Sequence, residues 1–206
     1  SDDDLNGKVI VINDVAYFDY VGAGSRDYLS ALNRLSENVL MTLCFSTSKT
    51  LTAYGMRLGA AVILHKNAAQ AARIANAFIK SARALWSNVN NGFMDTFVAI
   101  MTEHKDEYLA ELQTYIDLLK ERSAIFISQA KELDLPIFPY DNGFFVTLKI
   151  DDAQLTDRYH EKLLENHIYT VKMAGGIRIA ICSLNREACG RLPERLKTLL
   201  EACQHD

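Results

Sequence analysis

Apolar residues fall into short continuous runs alternating with longer stretches of helical spacing. Residues 8–13 (Lys-Val-Ile-Val-Ile-Asn) form a β-branched run without polar alternation, which predicts a strand buried on both faces, as in a parallel sheet. Two further apolar runs, 39–44 and 60–64, predict two more strands. Between the first and second runs, a turn is expected at Gly22-Ala23-Gly24. A helix is expected over 26–36, where Tyr28, Leu29, Leu32 and Leu35 share helical spacing. Asn67 is placed to cap a helix of alanines and isoleucines reaching about residue 84. Phe93, Phe97, Ile100 and Met101 predict the next helix over 93–104.

Residues 105–133 contain no proline or glycine and carry an amphipathic pattern including Tyr108, Leu112, Ile116 and Leu119. Such a length suggests a helix linking two domains. Pro136 and Pro139 end it, and the composition changes there. The remaining pattern predicts a strand over 143–150, a helix over 152–166, short strands over 167–171 and 175–181, and a closing amphipathic helix over 186–203. Alternating strands and helices place the chain in the α/β class.

Composition narrows the function. The 206 residues suffice for one or two domains. The formal net charge of −4 gives no basic footprint for nucleic acid. No apolar run approaches the about 18 residues of a membrane span. The first residues, Ser-Asp-Asp-Asp-Leu-Asn-Gly, form a polar lead-in unlike a secretory signal. Cysteines 44, 182, 189 and 203 form no Cys-x-x-Cys pair and have no zinc spacing, so no metal site is expected. Cys44 and Cys182 fall in apolar strands and are expected as buried thiols in a reducing, cytoplasmic setting. The five histidines are scattered and offer no catalytic grouping.

The candidate chemistry lies in 44–60, Cys-Phe-Ser-Thr-Ser-Lys-Thr-Leu-Thr-Ala-Tyr-Gly-Met-Arg-Leu-Gly-Ala, a strand-to-strand connection. Ser46, Ser48 and Lys49 can point into one pocket, with Arg57 eight residues beyond the lysine. Serine hydroxyls and a forked guanidinium suit a phosphate. A lysine beside them suits a Schiff base. Taken alone, such a loop is most commonly a solvated connection. Two further features accompany it. Asp14-Val-Ala-Tyr17 closes the first strand, at the kind of carboxyl end where α/β folds place ligands. Arg178 sits inside the apolar run Ile177-Arg178-Ile179, where burial is costly without a partner.

The pattern Ser46-x-Ser48-Lys49-x-x-x-x-Tyr54-Gly55-x-Arg57-x-Gly59 resembles the pyridoxal-phosphate (PLP) lysine motif of the fold-type I, class I aminotransferases, most closely the aspartate and aromatic branch. The resemblance implies that Lys49 holds the cofactor as a Schiff base, and that Ser46, Ser48 and Arg57 hold its phosphate. Asp14 would pair with the pyridine nitrogen, and Tyr17 with the phenolate oxygen. Arg178 would grip the substrate α-carboxylate. Arg83, followed by Ser87-Asn88, would reach into the neighbouring subunit of a homodimer to bind a distal carboxylate. There is one departure: the family continues Ser-Asn-Pro-Pro, whereas here Val89-Asn90 follows, leaving that loop less fixed.

The resemblance further implies a PLP-dependent transferase-like fold. Residues 1–110 would be the C-terminal part of the large cofactor domain. Residues 111–206 would be the small α+β domain, joined through the helix around 105–133. It covers the whole chain but only the later half of such an enzyme. The aromatic ring-stacking residue, the phosphate-receiving glycine turn and the asparagine of the earlier half have no place among the 13 residues before Asp14. The expected parent enzyme moves an amino group from an aspartate, glutamate or aromatic amino acid to a 2-oxo acid, and the fragment alone is expected to be inactive. Two alternatives stand beside it. A PLP lyase of the same fold would share Lys49, Asp14 and Arg178. A non-enzymatic aminotransferase-like domain could instead sense a ligand.

Overall fold

The computed structural model describes residues 7–21 and 27–205. The expected lead-in before residue 7, the turn at 22–24 and Arg26 lie outside the described residues. The chain divides into two compact units, Ser1–Leu112 and Gln113–Asp206.

In the first unit, β1 (Val9–Asp14), β2 (Val39–Ser46) and β3 (Gly59–Leu64) form a sheet in the order β1-β2-β3. β1 runs parallel to β2, with Asp14 opposite Cys44, and β3 runs antiparallel to β2, with Ser46 opposite Gly59. The β2–β3 crossing is tight. A Cβ on Gly59 would lie 2.6 Å from the Phe45 carbonyl oxygen, so only glycine fits. A four-residue helix α1 (Thr47–Thr50) interrupts the β2–β3 connection.

The parallel pairing predicted for β1 is observed, but its two faces are not both covered. Ile10 and Ile12 are 71% and 72% exposed. β1 pairs only with β2 among the described residues, so nothing described covers its outer side. Residues Asp27–Arg34 form 3₁₀ turns where an α-helix was expected. None of them is buried, so no packed face fixes the α repeat.

Helix α2 (Ala68–Leu85) begins where expected, the Asn67 side chain accepting from the amides of Ala69 and Gln70. It is followed by α3 (Asn91–Glu103) and α4 (Lys105–Glu132), and α4 runs on past Leu112 into the second unit.

The second unit holds an antiparallel sheet, order β4-β6-β5, built from β4 (Phe145–Lys149), β5 (Val171–Met173) and β6 (Gly176–Ala180). With it lie α5 (Ala153–Glu165), capped by Asp152, and α6 (Arg186–His205). Phe126, Leu148, Tyr159, Leu163, Ile177 and Leu196 form its core. The strand expected over 167–171 is displaced. Residues 166–168 close α5 instead: His167 is left-handed (φ 59°), and the Ile168 amide donates back to Leu163 O at 2.9 Å. Cys44 and Cys182 are only half-buried; Cys189 and Cys203 are the buried thiols. Burial raises the Cys189 thiol pKa, against a smaller lowering by Arg122.

Candidate active site

Parallel pairing sets the geometry. Because β1 and β2 run the same way, with Asp14 opposite Cys44, their carboxyl ends open at one edge of the sheet. Asp14 accepts from the Ala16 amide through Oδ1 (3.0 Å), which turns the chain out of β1 toward Tyr17. Ser46 ends β2 in extended conformation and caps α1, its Oγ accepting from the Ser48 amide at 3.2 Å. Lys49 is thereby placed on a single helical turn just beyond the strand end.

The turn is tied down on every side. The Thr47 amide and Oγ1 both donate to Leu58 O, at 3.1 and 2.9 Å, joining the start of α1 to the chain entering β3. Tyr20 Oη donates to Lys49 O and Tyr108 Oη to Thr50 O, each at 3.2 Å. Thr50 Oγ1 donates to Asp19 Oδ2 at 2.8 Å. Thr47, Ser48 and Thr50 are buried. The Thr47 and Thr50 hydroxyls of this loop are thus a scaffold, a role the sequence pattern did not assign to them.

The Lys49 amine lies 4.4 Å from the Tyr54 ring centroid and 5.7 Å from that of Tyr17, within cation–π range of both. Arg57 takes the left-handed conformation (φ 55°), which turns its side chain back over the loop. Its Nη1 donates to Tyr54 O (2.7 Å) and Ser48 Oγ (3.3 Å), and its guanidinium carbon lies 5.1 Å from the Tyr54 ring. Beside this cluster a cavity of about 460 Å³ is lined by Asp14, Tyr17, Phe18 and Tyr28 among others. Tyr17 belongs to both, so the carboxylate and the cations share one edge.

The structure thus brings Ser46, Ser48, Lys49, Tyr17 and Arg57 together, with Asp14 adjoining. It does not bring Arg83 to them. Arg83 is exposed at the end of α2, where Nη1 donates to Ser87 Oγ (2.8 Å) and Ser87 O (3.4 Å). Arg178 belongs to the second unit. It sits on the central strand β6, opposite Thr147 on one side and Val171 on the other. Its guanidinium carbon lies 4.5 Å from the Phe145 ring centroid. Among the described residues no carboxylate pairs with it, and its Nε is buried without a hydrogen-bond partner. Sequence reasoning gave no role to Tyr54 beyond its place in the motif. It gave none to Tyr20 or Tyr108 either: a hydrogen bond spanning 58 residues leaves no local signal.

The donor set fits a phosphorylated pyridine aldehyde. Hydroxyls and a guanidinium converge on one side of a primary amine, and a carboxylate lies at the neighbouring strand end. The orphaned Arg178 Nε fits a carboxylate ligand.

A family model for aminotransferase class I and II matches residues 5–196. No curated protein matches the chain. Among solved structures, an aminotransferase from Anaerococcus prevotii is 32% identical with a TM-score of 0.87, covering 96% of this chain and 48% of that one. An aromatic aminotransferase from Pyrococcus horikoshii shares the fold at 18% identity, with TM-score 0.74 and coverages of 95% and 52%. So does an aromatic-amino-acid aminotransferase from Burkholderia pseudomallei covalently bound to pyridoxal phosphate, at 20% identity, TM-score 0.69 and coverages of 93% and 48%. The chain therefore spans about half the length of these structures. With a family match running from residue 5 to residue 196, and a fold shared with solved aminotransferases, the chain belongs to the aminotransferase class I and II family.

Proposed function

We propose that this chain supplies the lysine-bearing part of a PLP-dependent aminotransferase, with Lys49 as the residue that holds the cofactor. One observation carries the reading: a primary amine on a rigid turn, flanked by Tyr17 and Tyr54, with the Arg57 guanidinium and Ser48 hydroxyl joined beside it. When bound, the cofactor supplies a carbonyl that condenses with amines and a pyridine ring that takes up electrons from the substrate Cα.

The chain's own residues do the rest. Arg57, Ser46 and Ser48 hold the phosphate, the guanidinium by charge and the hydroxyls by hydrogen bonds. Asp14 keeps a proton on the ring nitrogen, and Tyr17 donates to the ring oxygen. Lys49, with its amine free, would act as the base that takes the proton from the substrate Cα. Arg178 binds the α-carboxylate in a planar fork that lysine could not reproduce.

The substrate class follows from Arg83. As part of a homodimer, Arg83 of each subunit would serve its partner's site and favour a dicarboxylic amino acid. That requires the guanidinium to leave Ser87, an exposed contact of small cost. Aromatic amino acids are the other class, in keeping with the named activities of the Pyrococcus and Burkholderia proteins. The test is turnover of the full-length protein with aspartate, glutamate and tyrosine against 2-oxoglutarate. Keto-acid-dependent turnover that Lys49→Ala abolishes is expected. Normal turnover by Lys49→Ala removes the mechanism, and product without a keto acid indicates a lyase.

A further inference from the structure

A helix of four residues has no interior, so its carbonyls must be satisfied from outside. In α1 the two that follow the reactive side chain, those of Lys49 and Thr50, are taken by phenol hydroxyls from distant segments. Tyr20 comes from the 3₁₀ turn after β1 and is 4% exposed. Tyr108 comes from the first turns of α4. The Lys49 carbonyl also accepts from the Thr52 amide at 3.1 Å, and the Leu51 amide returns to Thr47 O at 3.0 Å. The peptide planes on the C-terminal side of Lys49 are therefore fixed from two directions. Those planes set the direction of the Lys49 Cα–Cβ bond, from which its long side chain starts.

We propose that Tyr20 and Tyr108 are positioning residues for Lys49, which pin the backbone of its turn so that the amine meets the substrate Cα in one geometry. This rests on the reading of Lys49 as the residue that holds the cofactor and moves the proton. Proton transfer is far more sensitive to a displacement of about 1 Å than binding is. The hydroxyls should therefore matter to the rate and little to substrate affinity.

The test uses Tyr20→Phe, Tyr108→Phe and the double variant of the full-length protein. Each removes one oxygen and keeps the ring. In cofactor-free protein, exchange of the Leu51 and Thr52 amides should quicken about fivefold for each hydroxyl lost, the equivalent of one hydrogen bond. With PLP, the double variant should lose about tenfold in kcat with KM within about twofold. The isotope effect on Cα-deuterated amino acid should rise as proton transfer slows. Unchanged exchange and kcat would overturn the proposal. So would a loss that appears in KM and global stability alone, which marks a merely structural role. Should the more buried Tyr20→Phe fail to fold, Tyr108→Phe alone decides. The unsubstituted protein, treated with PLP and borohydride, separates the two layers. A modified Lys49 with indifferent variants removes this proposal only, whereas no modification of Lys49 removes the site reading and this proposal with it.

Discussion

Replacing Arg57 by glycine separates folding from cofactor binding. Arg57 adopts φ 55°, a conformation that costs a non-glycine residue about 1 kcal/mol or more and glycine almost nothing. The substitution also removes the 2.7 Å bond to Tyr54 O and the longer one to Ser48 Oγ. Arg57 is exposed, so those bonds stabilise the fold by only about 1 kcal/mol. The two effects offset, and the melting temperature should move by no more than a few degrees. If the guanidinium holds the phosphate, the variant loses at least one charge-assisted hydrogen bond, about 1.5–3 kcal/mol. That is a loss of about 10- to 150-fold in PLP affinity. Arg57→Lys keeps the charge but loses the fork, and should fall between. Absorbance titration with PLP beside thermal melts of the same samples reads both quantities. Unchanged PLP affinity in Arg57→Gly, with the fold intact, would refute the phosphate assignment.

Three other outcomes are expected. Asp14→Asn retains an oxygen to accept from the Ala16 amide, so stability should hold while steady-state turnover drops by an order of magnitude or more, about 10-fold at least, if the carboxylate keeps the ring nitrogen protonated. Gly59→Ala forces a Cβ to within 2.6 Å of Phe45 O and should cost more than about 2 kcal/mol in urea unfolding, because β2 and β3 must part there. Burial raises the Tyr159 pKa above its ordinary 10.0, and its hydroxyl donates to Leu196 O. Its contribution to stability is therefore complete below that value and is lost as pH climbs toward the folded-state pKa. Alkaline melts should show a fall beginning near pH 10.0 that Tyr159→Phe lacks.

Much of the fold was legible because its signals are local. The caps at Asn67 and Asp152, the proline-free stretch behind α4 and the paired apolar runs around the lysine turn each announce an element within a few residues. Burial, by contrast, depends on distant partners. A β-branched run such as Val9–Asp14 signals a strand, while its burial depends on neighbours that the local pattern does not specify. The left-handed turn at His167, which delays β5, is by contrast a local closure of α5, held by the Ile168 amide on Leu163 O, that an apolar run does not reveal. In the site, fixed offsets between Ser46, Lys49 and Arg57 make the cluster visible, whereas the left-handed backbone at Arg57 and its bond to Ser48 are seen only in the structure. The phenol bonds from Tyr20 and Tyr108 and the exposed Ser87 contact of Arg83 lay beyond any sequence pattern.

If Lys49 is the residue joined to the cofactor, reduction will fix the cofactor to it and to no other lysine. The most direct measurement is borohydride reduction of the full-length protein with PLP, followed by peptide mass mapping. One reduced phosphopyridoxyl group is expected, on Lys49, with loss of the visible absorbance band that an imine of this cofactor gives. A folded protein that takes up no label, or carries it on surface lysines while Lys49 stays unmodified, would contradict it.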